Sequence, residues 1–239
     1  RVMAVSPGLP IAGDFTAEIC GRIGVEALDP EAIEIFRKRC SEKVGGELTD
    51  EADIVQFLTD TGLLDGLQIT YAGLILLGNR DAITRYLPNA EVVYEWRSNE
   101  ADIKHSQRIE HREGLILYVE RLWEQIDLRN DVQQYQEGVY RKDIKTFNEH
   151  VVREGLLNAV AHRDYRAEGS VMVKQTPRRL EILSPGGFPP GVTPDNICRK
   201  QVPRNRRLTE AMARCNLVER SGQGADLIYR HSITEGKAL

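Results

Sequence analysis

Two side chains able to do chemistry together, the carboxylate of Glu154 and the carboxamide of Asn158, sit four residues apart in the run His150-Val-Val-Arg-Glu-Gly-Leu-Leu-Asn-Ala-Val-Ala-His162. A carboxylate can orient or deprotonate a water, and a carboxamide oxygen is a suitable ligand for a hard cation. His150, Glu154, Asn158 and His162 recur every four residues. On a helix of about 3.6 residues per turn they form one slowly rotating stripe. Apart from that row and Arg153, the stretch from Val151 to Ala161 is apolar or small, so the helix is expected to be buried on most sides. A buried stripe needs partners, because unpaired buried polar groups cost about 1–3 kcal/mol each. Either the protein or a ligand supplies them, or the stripe is a solvated face.

Two glycine-rich stretches follow. Ser184-Pro-Gly-Gly-Phe-Pro-Pro-Gly191 leaves a predicted strand, and Ser221-Gly222-Gln223-Gly224 opens a predicted helix. Glycine lets backbone amides approach an anion, and a helix N-terminus presents free N–H groups and partial positive charge, so phosphates would suit both. His162-Arg163-Asp164, just past the stripe, either contacts ligand or caps the helix end. Between Asn196 and Arg207 lie Arg199, Lys200, Arg204, Arg206 and Arg207 without an acid. That is a solvated surface loop or a contact to phosphate, of DNA or of nucleotide. No G-x-x-x-x-G-K-[ST] sequence occurs, which excludes a P-loop motor. The His-Arg-Asp of kinase catalytic loops lacks its companion motifs here.

The elements that must position these residues can be read in order. Residues 1–24 are rich in Gly and Pro and read as a linker or the tail of a missing domain. Asp29-Pro30 starts a helix reaching about Cys40, and Thr49-Asp50-Glu51 starts another, which Gly62 ends. The run from Ile69 to Gly78 is buried; periodicity leaves helix and strand open, and helix is favoured. Residues 90–96 are predicted as strand, residues 97–112 as polar loop, and 114–128 as a core helix that includes Trp123 without a functional role. Residues 129–145 are polar and read as a boundary, with a strand near Gly138 to Arg141. Val171 to Gln175 and Leu180 to Leu183, joined by a turn at Pro177-Arg178-Arg179, predict an antiparallel hairpin. Helices are expected to start at Thr193-Pro194-Asp195 and to span Leu208–Val218 and Ala225–Ser232. These readings divide the chain into 1–24, a smaller helical or mixed domain over 25–135, and the site-bearing domain over 136–239.

The 239 residues suffice for one large or two modest domains, and a net charge of −4 argues against a wholly basic nucleic-acid coat. Cys20, Cys40, Cys198 and Cys215 form no C-x-x-C pair, so a reduced, cytoplasmic protein is expected. No apolar run approaches the roughly 18 residues of a membrane helix. The chain does not begin with Met, which suggests a piece of something longer.

The order of the three motifs resembles the ATPase superfamily of gyrase, histidine kinases and mismatch-repair ATPases, the Bergerat fold. Glu154-x-x-x-Asn158 is similar to its N box, Ser184-Pro185-Gly186-Gly187 to its first glycine box and Gly222-Gln223-Gly224 to its second. More closely, Arg153 to Tyr165, Leu180 to Gly191 and Arg204-Asn205 resemble a bacterial family of transcriptional regulators often labelled RecG-like helicases. The resemblance implies an α+β fold, with a Bergerat-like two-layer α/β sandwich in the C-terminal half. It implies ATP and Mg²⁺ as cofactors: Asn158 would ligate the metal and Glu154 would act on the attacking water in a slow ATPase. His162, Ser184, Gly186, Gly187, Gly222 and Gly224 would line the nucleotide site. It further implies a regulator bound to DNA through a preceding Schlafen or AlbA-like domain, with possible help from the five basic residues, and a possible homodimer. The alternative is a transcription factor that keeps the ATPase-like fold only as a scaffold. One position departs from the pattern: the first glycine box of active superfamily members begins with Asp, and here Ser184 stands in that place, a neutral and weaker acceptor for an adenine amino group.

Overall fold

The computed structural model of the chain describes residues 13–45, 53–100, 104–137, 140–189, 191–193, 196 and 202–218. Helix α1 (Pro30–Val44) starts where Asp29 accepts hydrogen bonds from the amides of Glu31 and Ala32, with Pro30 in the first turn. It runs past the expected end at Cys40 to Gly45, which takes the left-handed conformation that closes helices. Helix α2 (Ile54–Asp60) is capped by Asp53, and the start expected at Thr49 falls outside the described residues. A two-stranded ribbon, β1 (Leu64–Asp65) with β2 (Gln68–Ile69), leads into α3 (Tyr71–Leu77), whose residues from Ala72 onward are all buried. The open choice over 69–78 thus resolves as helix, with Ile69 in the ribbon. Helix α4 (Arg80–Tyr86), strand β3 (Val92–Trp96), strand β4 (Gln107–His111) and helix α5 (Leu115–Asp127) complete the first half.

The polar loop expected over 97–112 is corrected by β4, which pairs antiparallel with β3 from Val92 opposite His111 to Trp96 opposite Gln107. Its sequence, Gln-Arg-Ile-Glu-His, has one aliphatic residue in five, so apolar alternation could not reveal it. What holds it includes a charged pair across the strands: Arg108 Nη1 donates to Glu95 Oε1 at 2.6 Å, and Glu95 is buried.

The second half adds the ribbon β5 (Val132–Glu137) and β6 (Tyr140–Lys145), helix α6 (Glu149–Ala161), strands β7 (Val171–Gln175) and β8 (Leu180–Leu183), and helix α7 (Arg206–Arg214). The predicted hairpin is present, with Met172 opposite Leu183 and Gln175 opposite Leu180. Gly138, in the strand expected near 138–141, Pro194 and Asp195 of the helix start expected at 193–195, and the helix expected at 225–232 fall outside the described residues. The four-stranded sheet runs in the order β4-β3-β7-β8, and β3 pairs in parallel with β7. This differs from a division at residue 136, because one sheet takes two strands from each side of it. The fold is α+β, as expected.

The helices pack against the sheet and one another through a shared core. Helix α5 buries Leu115, Tyr118, Val119, Leu122, Trp123 and Ile126, each contributing roughly 1.5–3 kcal/mol of apolar burial. Residues 13–24, expected as a linker or the tail of a missing domain, pack against this core. Asp14 caps a 3₁₀ turn over Phe15–Ala17, Phe15 stacks on Tyr71 with ring centroids 4.2 Å apart, and Thr16 and Cys20 are buried. Glycine erased the periodicity there without preventing packing. No helix among the described residues is long and apolar enough to cross a membrane.

Candidate functional site

Helix α6 is built from its two faces. Val152, Leu156, Leu157, Val160 and Ala161 are buried, and Asn148 caps the first turn by accepting from the Val151 amide. The polar stripe lies at the edge of that buried face: Glu154 and Asn158 are half-buried, and His150 and His162 exposed. Within the stripe Asn158 Nδ2 donates to Glu154 Oε1 at 2.9 Å. The bond fixes the carboxamide, so that Asn158 Oδ1 keeps its lone pairs, and it leaves Glu154 one further carboxylate oxygen. A hard-oxygen pair of this kind fits Mg²⁺, which usually takes one or two protein oxygens and keeps several waters. No cluster of three or more His, Cys, Asp or Glu poised for a metal occurs among the described residues.

Strand β8 lies against this helix. At Gly155 an added Cβ would come within 3.1 Å of Ile182 Cδ1, so the missing side chain lets the strand close in. Ser184, at the strand exit, donates its hydroxyl to the Ala159 carbonyl at 2.7 Å. The hydroxyl hydrogen is thereby used inside the protein, although the oxygen can still accept.

The loop after Ser184 is held by the residues that follow α6. Asp164 N donates to the Pro185 carbonyl at 2.9 Å. Gly186 has φ +106°, and a Cβ there would sit 2.6 Å from Asp164 Cβ. The space that glycine opens is therefore filled by Asp164. Arg204 bridges both sides: Nη1 lies 3.2 Å from Asp164 Oδ2, and Nη2 donates to the Gly187 carbonyl. Asn205 Nδ2 donates to the carbonyls of Ala161 and Arg163 at 2.9 and 2.7 Å. Arg163 is fully buried and gives its guanidinium to the carbonyls of Asp164, Ala167 and Gly169, beside the Tyr165 ring. Desolvation by the surrounding protein, and then the Arg204 charge, hold the His162 imidazole below its ordinary value even though part of its surface is open to water.

Of the predicted site residues, Glu154, Asn158, Ser184, Gly186 and Gly187 are thus brought to one side of the molecule around α6, with His162 at the helix end. Gly222, Gly224, Arg199 and Lys200 lie outside the described residues. The two readings of His162-Arg163-Asp164 are separated for Arg163 and Asp164, which tie the chain after α6 to the glycine loop. Of the other basic residues, Arg206 is exposed and pairs with Glu210 at 2.8 Å, and Arg207 lies over Gly62. Arg204 is neither a surface-loop residue nor free for phosphate. Sequence reasoning missed its role because a cation among cations carries no sign of burial.

A separate cleft of about 450 Å³ between α1 and the end of α7 is lined in part by Lys38, Arg39, Lys43, Cys215 and Asn216. Arg39 is paired there with Glu120, and Lys43 with the Ala213 carbonyl. It includes none of the residues above.

Comparison with known proteins adds two partial family matches and one fold. Residues 168–238 match a family model described as "Putative ATP-dependent DNA helicase recG C-terminal", which supports an ATPase-like module over that part of the chain. The match begins after α6, so the glycine stretches lie inside it and Glu154 and Asn158 outside. Residues 12–93 match a family described as a domain of unknown function. No curated protein matches the sequence. The crystal structure of the DIP2311 protein from Corynebacterium diphtheriae superposes with a TM-score of 0.76 at 22% identity, over 95% of this chain and 44% of that one. At that identity the likeness shows the fold alone, and this chain spans under half the length of that protein.

Proposed function

We propose that this chain is an ATP-binding regulatory module whose nucleotide state is coupled to a DNA-binding domain of a transcriptional regulator. The observation that carries the reading is the Asn158–Glu154 pair on the half-buried edge of α6, set beside a glycine loop inside the matched ATPase-like span. Asn158 Oδ1 would hold Mg²⁺, which when bound neutralises phosphate charge. Glu154 would orient the water that attacks, its carboxylate held in place by the Asn158 amide. Ser184 would accept from the base without charge assistance, so discrimination between adenine and guanine is expected to be weak. DNA contact by the basic stretch would fall to residues other than Arg204, whose charge is spent internally.

A specific observation favours a second reading, an ATPase-like scaffold without nucleotide chemistry. Ser184 and Gly186, two residues of the first glycine box, each have a structural partner, Ala159 and Asp164. Calorimetric titration with Mg-ATP separates the two. The nucleotide reading expects saturable binding that Asn158→Ala weakens by about tenfold or more, a difference of about 1.4 kcal/mol. Absence of binding by the wild type, with no difference in the variant, leaves the scaffold.

A further inference from the structure

Arg204 and Asn205 take no part in the chemistry proposed above, yet both are buried, 8% and 2% exposed, and buried polar residues are few among the described residues. They form the short approach to α7, and their side chains reach back in two directions. Asn205 closes the end of α6 through the carbonyls of Ala161 and Arg163. Arg204 spans from the Asp164 carboxylate to the Gly187 carbonyl, and its Nε is buried with no partner among the described residues. Burying a guanidinium is costly unless it is paired and hydrogen-bonded. Here the charge is paired with the Asp164 carboxylate and a second nitrogen is bonded to the Gly187 carbonyl, so the burial ties Arg204 to these two partners.

The base of the pair is fixed as well. Asp14 Oδ2 accepts from the Arg207 amide at 2.6 Å, and Thr16 Oγ1 accepts from the Leu208 amide at 3.3 Å. These bonds satisfy N-terminal amides of α7 and anchor it to the segment that begins the described chain. From Asp14 a continuous path of hydrogen bonds and short backbone therefore runs through the start of α7 to Arg204 and Asn205, and on to the glycine loop and the end of α6.

We propose that Arg204 is a positioning residue: with Asn205 it holds the Ser184–Gly187 loop against the end of α6, and so sets the spacing between that loop and the Glu154–Asn158 pair. The planar fork of arginine suits a bridge between a carboxylate and a carbonyl, whereas lysine offers a single point of attachment. The clamp stands on the geometry above. Its consequence for nucleotide affinity rests on the proposed function.

The two parts are tested on the same full-chain proteins, wild type, Arg204→Gln and Arg204→Lys. Amide hydrogen exchange without nucleotide reads the clamp at Asp164, Arg166 and Ala167, whose amides donate to the Pro185 carbonyl, the Asp164 carboxylate and the Asp164 carbonyl, and Mg-ATP titration reads affinity. The expected result is exchange at these three amides faster by about tenfold in Arg204→Gln, partial restoration in Arg204→Lys, and unchanged exchange in β3 and α5. Mg-ATP binding should weaken in the same order. Unchanged loop exchange in either folded variant overturns the clamp, as does acceleration spread evenly over β3 and α5, the mark of general destabilisation. If Arg204→Gln does not fold, Arg204→Lys alone decides. Faster loop exchange in variants of a wild type that binds no Mg-ATP supports the clamp and overturns the nucleotide reading, so the two failures are distinguishable.

Discussion

Gly186 and Gly169 both have positive φ, +106° and +91°, but only at Gly186 would a Cβ collide, 2.6 Å from Asp164 Cβ; at Gly169 the nearest atom is 3.8 Å away, on Pro185. Gly169→Ala should therefore cost backbone strain alone, about 1–3 kcal/mol, and Gly186→Ala that strain plus displacement of Asp164 from the loop. Denaturant unfolding of the two variants checks this, and equal losses would show that the Asp164 contact carries no weight. The same pair of residues marks what could be read from the sequence. That Gly186 was special was visible from its place after a strand, and its chemistry suggested a phosphate cradle. Its physical reason here is the approach of Asp164, 22 positions earlier, and no local pattern announces such a contact. Arg204 was obscured in the same way, because Asp164 and Gly187, which make its burial tolerable, lie far from it in sequence. Glu154 and Asn158 were legible because their relation is local: four residues on a helix bring the two side chains within hydrogen-bond reach.

At the scale of elements, legibility followed period. The hairpin β7–β8 alternates apolar and polar residues and was found with its strand bounds, whereas β4 is polar at most positions and is defined by its neighbour. Helix α5 was found from its apolar stripe, but its polar side holds a junction that periodicity does not show. Glu120 of α5 pairs with Arg39 of α1 at 3.0 Å and with Arg153 of α6. The Arg153 hydrogen bond, opposed by burial and aided by Arg39, lowers the Glu120 carboxyl from its ordinary value of 4.5. A lowered folded-state value means that the stabilisation is present above pH 4.5 and is lost as pH falls through the folded-state value. Glu120→Gln should accordingly be less stable than wild type at about pH 7, and the gap should be smaller at about pH 3. Glu120 is partly exposed, so the effect at neutral pH should be modest and further reduced by salt. Urea unfolding at the two pH values is the check, and a gap that does not change with pH would assign the effect to packing.

For the whole molecule, the sheet order matters more than the list of elements. An apparent boundary near residue 136 arises because residues 129–145 are polar and form the separate ribbon β5–β6, and a polar stretch between two periodic regions reads as a linker. The parallel pairing of β3 with β7 crosses that boundary over five residue pairs, from Val92 opposite Val171 to Trp96 opposite Gln175. The crossing is also sealed by side chains. Tyr94 donates to Gln175 Oε1 at 2.6 Å, and Gln175 Nε2 donates to the Ile126 carbonyl of α5 at 3.0 Å. Separating the halves would expose the inner edge of β3, the inner edge of β7 and a buried glutamine together, and the apolar faces of α5 and α6 with them. Residues 13–135 and 136–239 expressed as separate chains should therefore lack cooperative unfolding, while the intact chain melts in one calorimetric transition. Two well-separated transitions in the intact chain, each reproduced by one isolated half, would mean that the β3–β7 pairing is a contact between independent units. The single transition, by contrast, makes the placement of α6 and its glycine loop depend on strands contributed by the first half of the chain. A destabilising change as distant as β4 would then act on the site through the sheet.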